Sequence, residues 1–232
     1  MTTLLFRTAP LLLAASALSG CFLEDAALAA RDSLEETRDF EPGGTFRLEN
    51  INGSVTVETW DQERIYIEAV KSATSQRSLD AIKIEIDGEG DLVEVRTRVP
   101  RRRSFFGRIG KVEYFVRLPA EARDVVVTVN GKLHIAGIAG RVQASTVNGT
   151  VEIYDLSGEV EASAVNGGIE AIYRQADSDG RHHFSTVNGG VTLSLPPDAG
   201  GRVEAHTVNG SIRPTSPWRL VENSAAGIWK VV

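Results

Sequence analysis

Residues Asp124–Thr150 read DVVVTVNGKLHIAGIAGRVQASTVNGT, and the phrase Val-Asn-Gly inside them returns through the rest of the chain. It occurs at Val129-Asn130-Gly131, Val147-Asn148-Gly149, Val165-Asn166-Gly167, Val187-Asn188-Gly189 and Val208-Asn209-Gly210, so the asparagines are spaced 18, 18, 22 and 21 residues apart. A period near 20 residues is the signature of a repeat architecture. A sixth copy, Ile51-Asn52-Gly53, stands by itself near the front.

Stacked on their asparagines, the repeats keep apolar residues in the same slots. Three residues after each Asn are Leu133, Val151, Ile169, Val191 and Ile212; five after are Ile135, Ile153, Ala171 and Leu193. Four before are Val126, Ala144, Ala162, Phe184 and Ala205, and six before are Val142, Val160 and Val203. Val precedes every Asn. Two folds compete. Asn-Gly between alternating strands is a strong hairpin signal, because both residues tolerate positive φ; this gives an antiparallel meander. A meander has no reason to hold residue types in phase, however, and the stretches between copies vary in length. The columns favour an all-β, right-handed β-solenoid, like a single-stranded β-helix, with one fixed corner and variable loops elsewhere. Its asparagines Asn130, Asn148, Asn166, Asn188 and Asn209 stack as a structural ladder.

Energetics agree. Ordering one coil costs about 1–2 kcal/mol per residue, while each inward apolar side chain returns about 1.5–3 kcal/mol. An isolated coil therefore fails, and a stack that shares burial and strand bonds succeeds.

The repeat core spans about 124–213, within an expected domain of 45–232. Ahead of it, short alternating runs such as RIYIEAV (64–70), LVEVRTRV (92–99) and KVEYFVRL (111–118) predict an irregular β-rich part, with room for a helical turn only at Ser75–Ala81. The tail from Pro214 has no further Val-Asn-Gly and is read as a cap.

Residues 1–20 read as a secretory signal: Arg7 supplies a positive start, Ala9–Leu18 a short apolar run, and small residues lead to Cys21. The ending Leu18-Ser19-Gly20-Cys21 resembles the lipobox of bacterial lipoproteins. That resemblance implies lipidation of Cys21, the only cysteine, and residence in a bacterial envelope. Phe22 rather than Asp after the cysteine favours the outer membrane in a Gram-negative cell. Residues 21–44, charged and Ala-rich and ending in Glu41-Pro42-Gly43-Gly44, are expected to form the tether. Removing the signal leaves 24 Lys+Arg against 31 acids, about −7, a poor balance for binding nucleic acid.

The TVNG phrases, the front segment FRLENINGSVTVETW and the lipobox together resemble the "putative adhesin" family of bacterial envelope proteins, over roughly Phe40–Ile212. The resemblance implies a right-handed β-helix or related β-rich fold on an exported protein without enzymatic chemistry.

Little in the residues suggests catalysis or a cofactor. His134, His182, His183 and His206 lack metal-site spacing and are expected on the surface. Asp177, Asp179 and Gly180 have no matching Glu for a calcium loop. The outward slots are expected to hold Ser145, Ser163, Ser185, Thr128, Thr146 and Thr186. Glu152 and Glu170 occupy equivalent slots of successive coils, as a paired-carboxylate enzyme would need. Arg101, Arg102, Arg103, Phe105, Phe106 and Arg108 form a basic, aromatic loop suited to anionic headgroups or an acidic partner. Three functions follow: a lipid-anchored surface for protein or glycan contact, a carbohydrate-active enzyme on the same scaffold, or an envelope-sensing accessory lipoprotein with one protein partner.

Overall fold

The computed structural model describes residues 30–99, 110–175, 180–196, 202–214, 220–224 and 228–231. The signal, Cys21 and the basic, aromatic loop 101–108 lie outside these residues, as do Asp177 and Asp179.

The fold is all-β. The front part holds β1 (Ala30–Glu49), β2 (Val55–Trp60), β3 (Arg64–Ala73), the short helix α1 (Gln76–Asp80), β4 (Lys83–Asp87), β5 (Gly90–Arg98) and β6 (Lys111–Pro119). The helix is capped by Ser75, whose Oγ accepts from the Ser78 N–H. The repeats supply strands in pairs, one on each side of an Asn-Gly corner: β7 (Asp124–Val129) and β8 (Leu133–Ala136), β9 (Arg141–Asn148) and β10 (Val151–Leu156), β11 (Val160–Asn166) and β12 (Ile169–Tyr173), β13 (Arg181–Asn188) and β14 (Val191–Ser194), β15 (Arg202–Asn209) and β16 (Ile212–Pro214). The tail adds β17 (Leu220–Ser224) and β18 (Ile228–Val231).

Each pair makes one rung, and neighbouring rungs are bonded in parallel. Val142 pairs with Val160, Val160 with His182 and His182 with Val203 on the strands before the corner, which we term the B sheet. Leu133 pairs with Val151, Val151 with Ile169, Ile169 with Val191 and Val191 with Ile212 on the strands after it, the A sheet. Parallel pairing rules out the hairpin meander, whose consecutive strands would be antiparallel.

The front segment completes the same arrangement. Thr45–Glu49 of β1 runs parallel to β7, and Val55–Val57 of β2 runs parallel to β8. Residues Thr45–Val57 therefore form the first rung of the repeat, although some 65 residues separate them from the second. The intervening chain adds β5 and β6 on the far side, parallel to β1 and β2 respectively.

Beyond these, the pairing departs from a uniform coil. β3 is antiparallel to β6, β4 to β5, β18 to β15 and β17 to β18. β1 belongs to both sheets, pairing with β3 in one and with β5 and β7 in the other. Through it the strands join into one 18-stranded sheet, a nearly closed, barrel-like wall rather than the independent faces of a simple right-handed solenoid. The tail extends the B sheet edge by strand pairing at β15.

The tether read over 21–44 is strand from Ala30 onward. Residues Ala30–Asp39 pair one for one with Ala73–Arg64. Lys71 Nζ meets Asp32 Oδ2 at 2.7 Å, and Arg38 donates to the carbonyls of Gly88 (2.6 Å) and Ile86 (2.8 Å). Charged side chains suit this strand because they bridge to neighbours along its outer side. The Pro-Gly-Gly turn residues are absorbed as an irregularity in pairing between Phe40 and Thr45.

One apolar core fills the space between the sheets. Leu133, Ile135, Val151, Ile153, Val191 and Phe184 are all fully buried. Phe184 stands in a column with Ala144, Ala162 and Ala205, so one large ring interrupts a run of small residues.

Candidate functional site

The Asn-Gly corner is the most regular feature. Asn130 Nδ2 donates to Asn52 Oδ1, Asn148 to Asn130, Asn166 to Asn148, Asn188 to Asn166 and Asn209 to Asn188, each at 2.9 Å. Beside the ladder the glycine backbones nearly touch. A Cβ on Gly149 would lie 2.2 Å from the Gly131 oxygen, and one on Gly167 1.8 Å from the Gly149 oxygen. No side chain fits there. The main chain is also tied across rungs: Gly149 N–H donates to Asn166 O and Gly167 N–H to Asn188 O, both at 3.0 Å.

In the later rungs the threonine of TVNG faces inward. Thr146, Thr186 and Thr207 are buried, and their hydroxyls donate to the carbonyls of Gly131 (2.8 Å), Gly167 (2.9 Å) and Gly189 (2.9 Å). Thr146 and Thr186 thus depart from the outward placement expected of them. The valine that follows faces out: Val147, Val165, Val187 and Val208 are 48, 42, 40 and 63% exposed. Both facts follow from the two-residue alternation of a strand. Residues six, four and two before Asn face the core, so the residue one before cannot. The second rung is offset by one: Val129 pairs with Thr146 and is buried.

His182 is also corrected. It is 2% exposed, not on the surface, because it falls in the inward column of Val142, Val160 and Val203. Its Nδ1 lies 2.9 Å from the Tyr173 hydroxyl, and burial drives the Tyr173 phenol well above its ordinary range.

The outward side of the A sheet carries the polar chemistry. Across the strands, Phe115, Thr56, His134, Glu152, Glu170, Thr192 and Arg213 pair in turn and form one row. At strand spacing, neighbours in such a row are about 4.8 Å apart. Lys132 Nζ lies 2.7 Å from Glu152 Oε1, and His134 Nδ1 lies 3.5 Å from Glu152 Oε2. Partial burial pushes the Glu152 carboxyl up, but these two bases outweigh it and hold it below the usual carboxylate range. The Tyr154 hydroxyl donates to Glu170 Oε2 at 3.1 Å. Around Glu152, Glu170, Thr192 and Arg213 lies a shallow trough of about 370 Å³, with Gly168 and Gly190 along its floor.

Among the described residues, no three His, Cys, Asp or Glu side chains are grouped to hold a metal ion. Nor is any described helix long and apolar enough to cross a membrane.

The sequence alone pairs Glu152 with Glu170 and stacks the five late asparagines. It leaves Asn52 outside the ladder and gives no role to Thr192, Arg213, Tyr154, Gly168 or Gly190. Asn52 carries the same Asn-Gly phrase as its partners; the signal that it belongs with them is Ile51-Asn52-Gly53-Ser54-Val55-Thr56-Val57, which places apolar residues three and five after the Asn.

No family model matches the chain, and no curated protein matches it. Similar solved structures include a "putative cell adhesion protein" from Clostridium sporogenes, at 10% identity over 80% of this chain and 100% of that chain, with a TM-score of 0.47. Others are a "putative adhesin" from Bacteroides fragilis, at 8% identity over 79% and 97% with a TM-score of 0.30, and a "putative lipid binding protein" from Parabacteroides distasonis, at 10% identity over 81% and 95% with a TM-score of 0.27. These neighbours share about 10% identity with this chain, too distant to carry a family or a function to it.

Proposed function

We propose that this is a non-enzymatic, lipid-anchored protein of the bacterial envelope that presents an extended face for contact with protein or glycan. The observation that carries this reading is the row from Phe115 to Arg213. It brings side chains from seven strands into one line on an open face. We read the stacked rungs of 45–57 and 124–214 as a right-handed solenoid, the hand that parallel crossover connections adopt.

The lipobox-like Leu18-Ser19-Gly20-Cys21 supports the anchor, and outer-membrane residence follows from Phe22 in a Gram-negative cell. Cys21 lies nine residues before Ala30, a reach of about 30 Å at full extension. A lipidated Cys21 therefore keeps the β1 end near the bilayer. Arg101, Arg102, Arg103, Phe105, Phe106 and Arg108 form a second contact in this reading, with anionic headgroups or an acidic protein.

An enzyme of the paired-carboxylate kind is less favoured. Such chemistry needs one carboxyl as acid and the other free as base or nucleophile, whereas Glu152 is engaged by Lys132 and His134 and Glu170 by the Tyr154 hydroxyl.

Membrane fractionation of wild type and Cys21→Ser tests the anchor: the variant is expected in the soluble fraction, and its retention on membranes would refute the lipid. Photo-crosslinking from position 192 in intact cells tests the face. An adduct with an envelope protein or glycan is expected; none would count against it.

A further inference from the structure

We infer that the trough at Gly168 and Gly190 is a binding subsite for a neutral oligosaccharide, lying across the strands of the A sheet. The inference rests on the reading of this face as a contact surface and names its ligand class.

The trough exists because of two glycines that the fold does not demand. At the ladder corner a Cβ on Gly131, Gly149 or Gly167 would lie 1.8–2.2 Å from a carbonyl oxygen. At Gly168 and Gly190 it would lie 3.2 and 3.1 Å from one, a crowding relieved by a shift of a few tenths of an ångström. The same slot holds Lys132 in the second rung and Thr150 in the third. Side chains are therefore tolerated in this column, and their loss in two successive rungs opens the concavity.

What lines it matches a sugar ring. Hydroxyls of a pyranose both donate and accept, and a carboxylate accepts from two neighbouring hydroxyls at once. Glu170 and Glu152 supply acceptors, Arg213 supplies donors, and the Thr192 hydroxyl does either. The carboxylates are positioned beforehand: Tyr154 holds Glu170 by Oε2, and Lys132 and His134 hold Glu152. Side chains fixed in advance lose less freedom on binding.

The lining also selects. Two carboxylates against Lys132 and Arg213 leave the trough without the net positive charge that a uronate or phosphate chain requires. The trough is shallow and open, so it does not enclose a lipid tail. It opens onto the row through His134 and Thr56 to Phe115, whose spacing of about 4.8 Å is close to the length of one hexose unit. A chain of sugars can continue along it.

The test uses full-length protein in detergent micelles, titrated with cellohexaose and chitohexaose as neutral probes and with hexagalacturonate as the anionic one. Binding is followed by calorimetry and by backbone amide shifts. At least one neutral hexaose is expected to bind and to shift Gly168, Gly190 and Thr192, with no binding of hexagalacturonate. Glu170→Gln, an isosteric change of a half-exposed side chain, is expected to weaken binding about tenfold, the scale of a hydrogen bond to a charged group. Thr192→Trp fills the trough and is expected to abolish binding; an unchanged amide spectrum elsewhere confirms its fold. Failure of both neutral probes at millimolar concentration, shifts confined to other faces, equal binding of hexagalacturonate, or unchanged affinity in both variants would overturn the inference. If the sugars fail but the crosslinker at position 192 captures an envelope protein, the sugar site is refuted while the contact face stands. If both fail, so does the face.

Discussion

Asn130 donates from Nδ2 to Oδ1 of Asn52 at 2.9 Å, across 78 residues of sequence. The bond fixes the front segment as the first rung of the repeat and the chain from Glu58 to Arg123 as an insertion between the first two rungs. The same alignment brings Thr56 beside His134 and so extends the outer row of the A sheet to Phe115.

The ladder makes position matter. Asn166 has a ladder partner on each side, Asn148 and Asn188, whereas Asn209 bonds only Asn188 among the described residues. Each net hydrogen bond contributes about 0.5–1.5 kcal/mol. Asn166→Ala is expected to lower unfolding free energy by about twice as much as Asn209→Ala, and Asn52→Ala to destabilise although it lies far from the other copies. Urea denaturation measures all three. Equal, negligible effects would show that the amides do not stabilise the stack.

Glycines at neighbouring positions should differ sharply. Gly149→Ala places a Cβ 2.2 Å from the Gly131 oxygen, while Gly168→Ala places one 3.2 Å from the Gly190 oxygen. The first forces two rungs apart and is expected to cost about 3 kcal/mol or more, at the severe end for single substitutions. The second is expected to cost about 1 kcal/mol or less. Thermal and chemical unfolding of the two variants check this, and a reversal of the order would contradict the close approach.

Valines in the repeat fall into two classes. Val165 is exposed and Val151 is fully buried. Val165→Thr is expected within about 0.5 kcal/mol of wild type, as for other surface changes. Val151→Thr puts a hydroxyl in the core, with an expected cost of about 1–3 kcal/mol. Denaturation midpoints of the pair distinguish the classes.

These valines show how far the sequence could be read. The repeat period and the in-phase columns identify an all-β stack, because burial imposes the same residue types on every rung. The parity that puts Thr146 inside and Val147 outside is present in the same columns, yet the conservation of Val within the chain masks it: a residue repeated at every rung looks like core. The outward position instead leaves an apolar row along the corner. The paired edge Ala30–Asp39 is invisible for another reason. Its charged residues resemble a tether, and only the partner strand Arg64–Ala73 shows that they bridge between strands. Nothing local in Gly168 or Gly190 distinguishes an open trough from a tight turn. That difference rests on what the next rung places above each glycine.

Stability should bend at both ends of the pH scale. Burial pushes the Tyr114 phenol up to about 12 from 10.0, and a hydrogen bond with Thr97 pulls it back slightly. A group raised in the folded state gives stability that is complete below its unfolded value and is lost as pH rises through the folded one. Unfolding free energy is therefore expected to fall between about pH 10 and 12, less steeply in Tyr114→Phe. Glu152 acts in the opposite sense. Its lowered carboxyl contributes above the ordinary value of 4.5 and is lost as pH falls through the folded value. Glu152→Gln should flatten the acid limb. Denaturation across pH measures both limbs, and identical profiles for variant and wild type would refute these roles.

The alignment of the rungs is tested most directly by nuclear Overhauser contacts among asparagine side-chain amides in the full-length protein. An unbroken series is expected, running Asn52, Asn130, Asn148, Asn166, Asn188, Asn209 and including the contact between Asn52 and Asn130. Asparagine amides that contact only residues of their own turn, with no peak between Asn52 and Asn130, would contradict it.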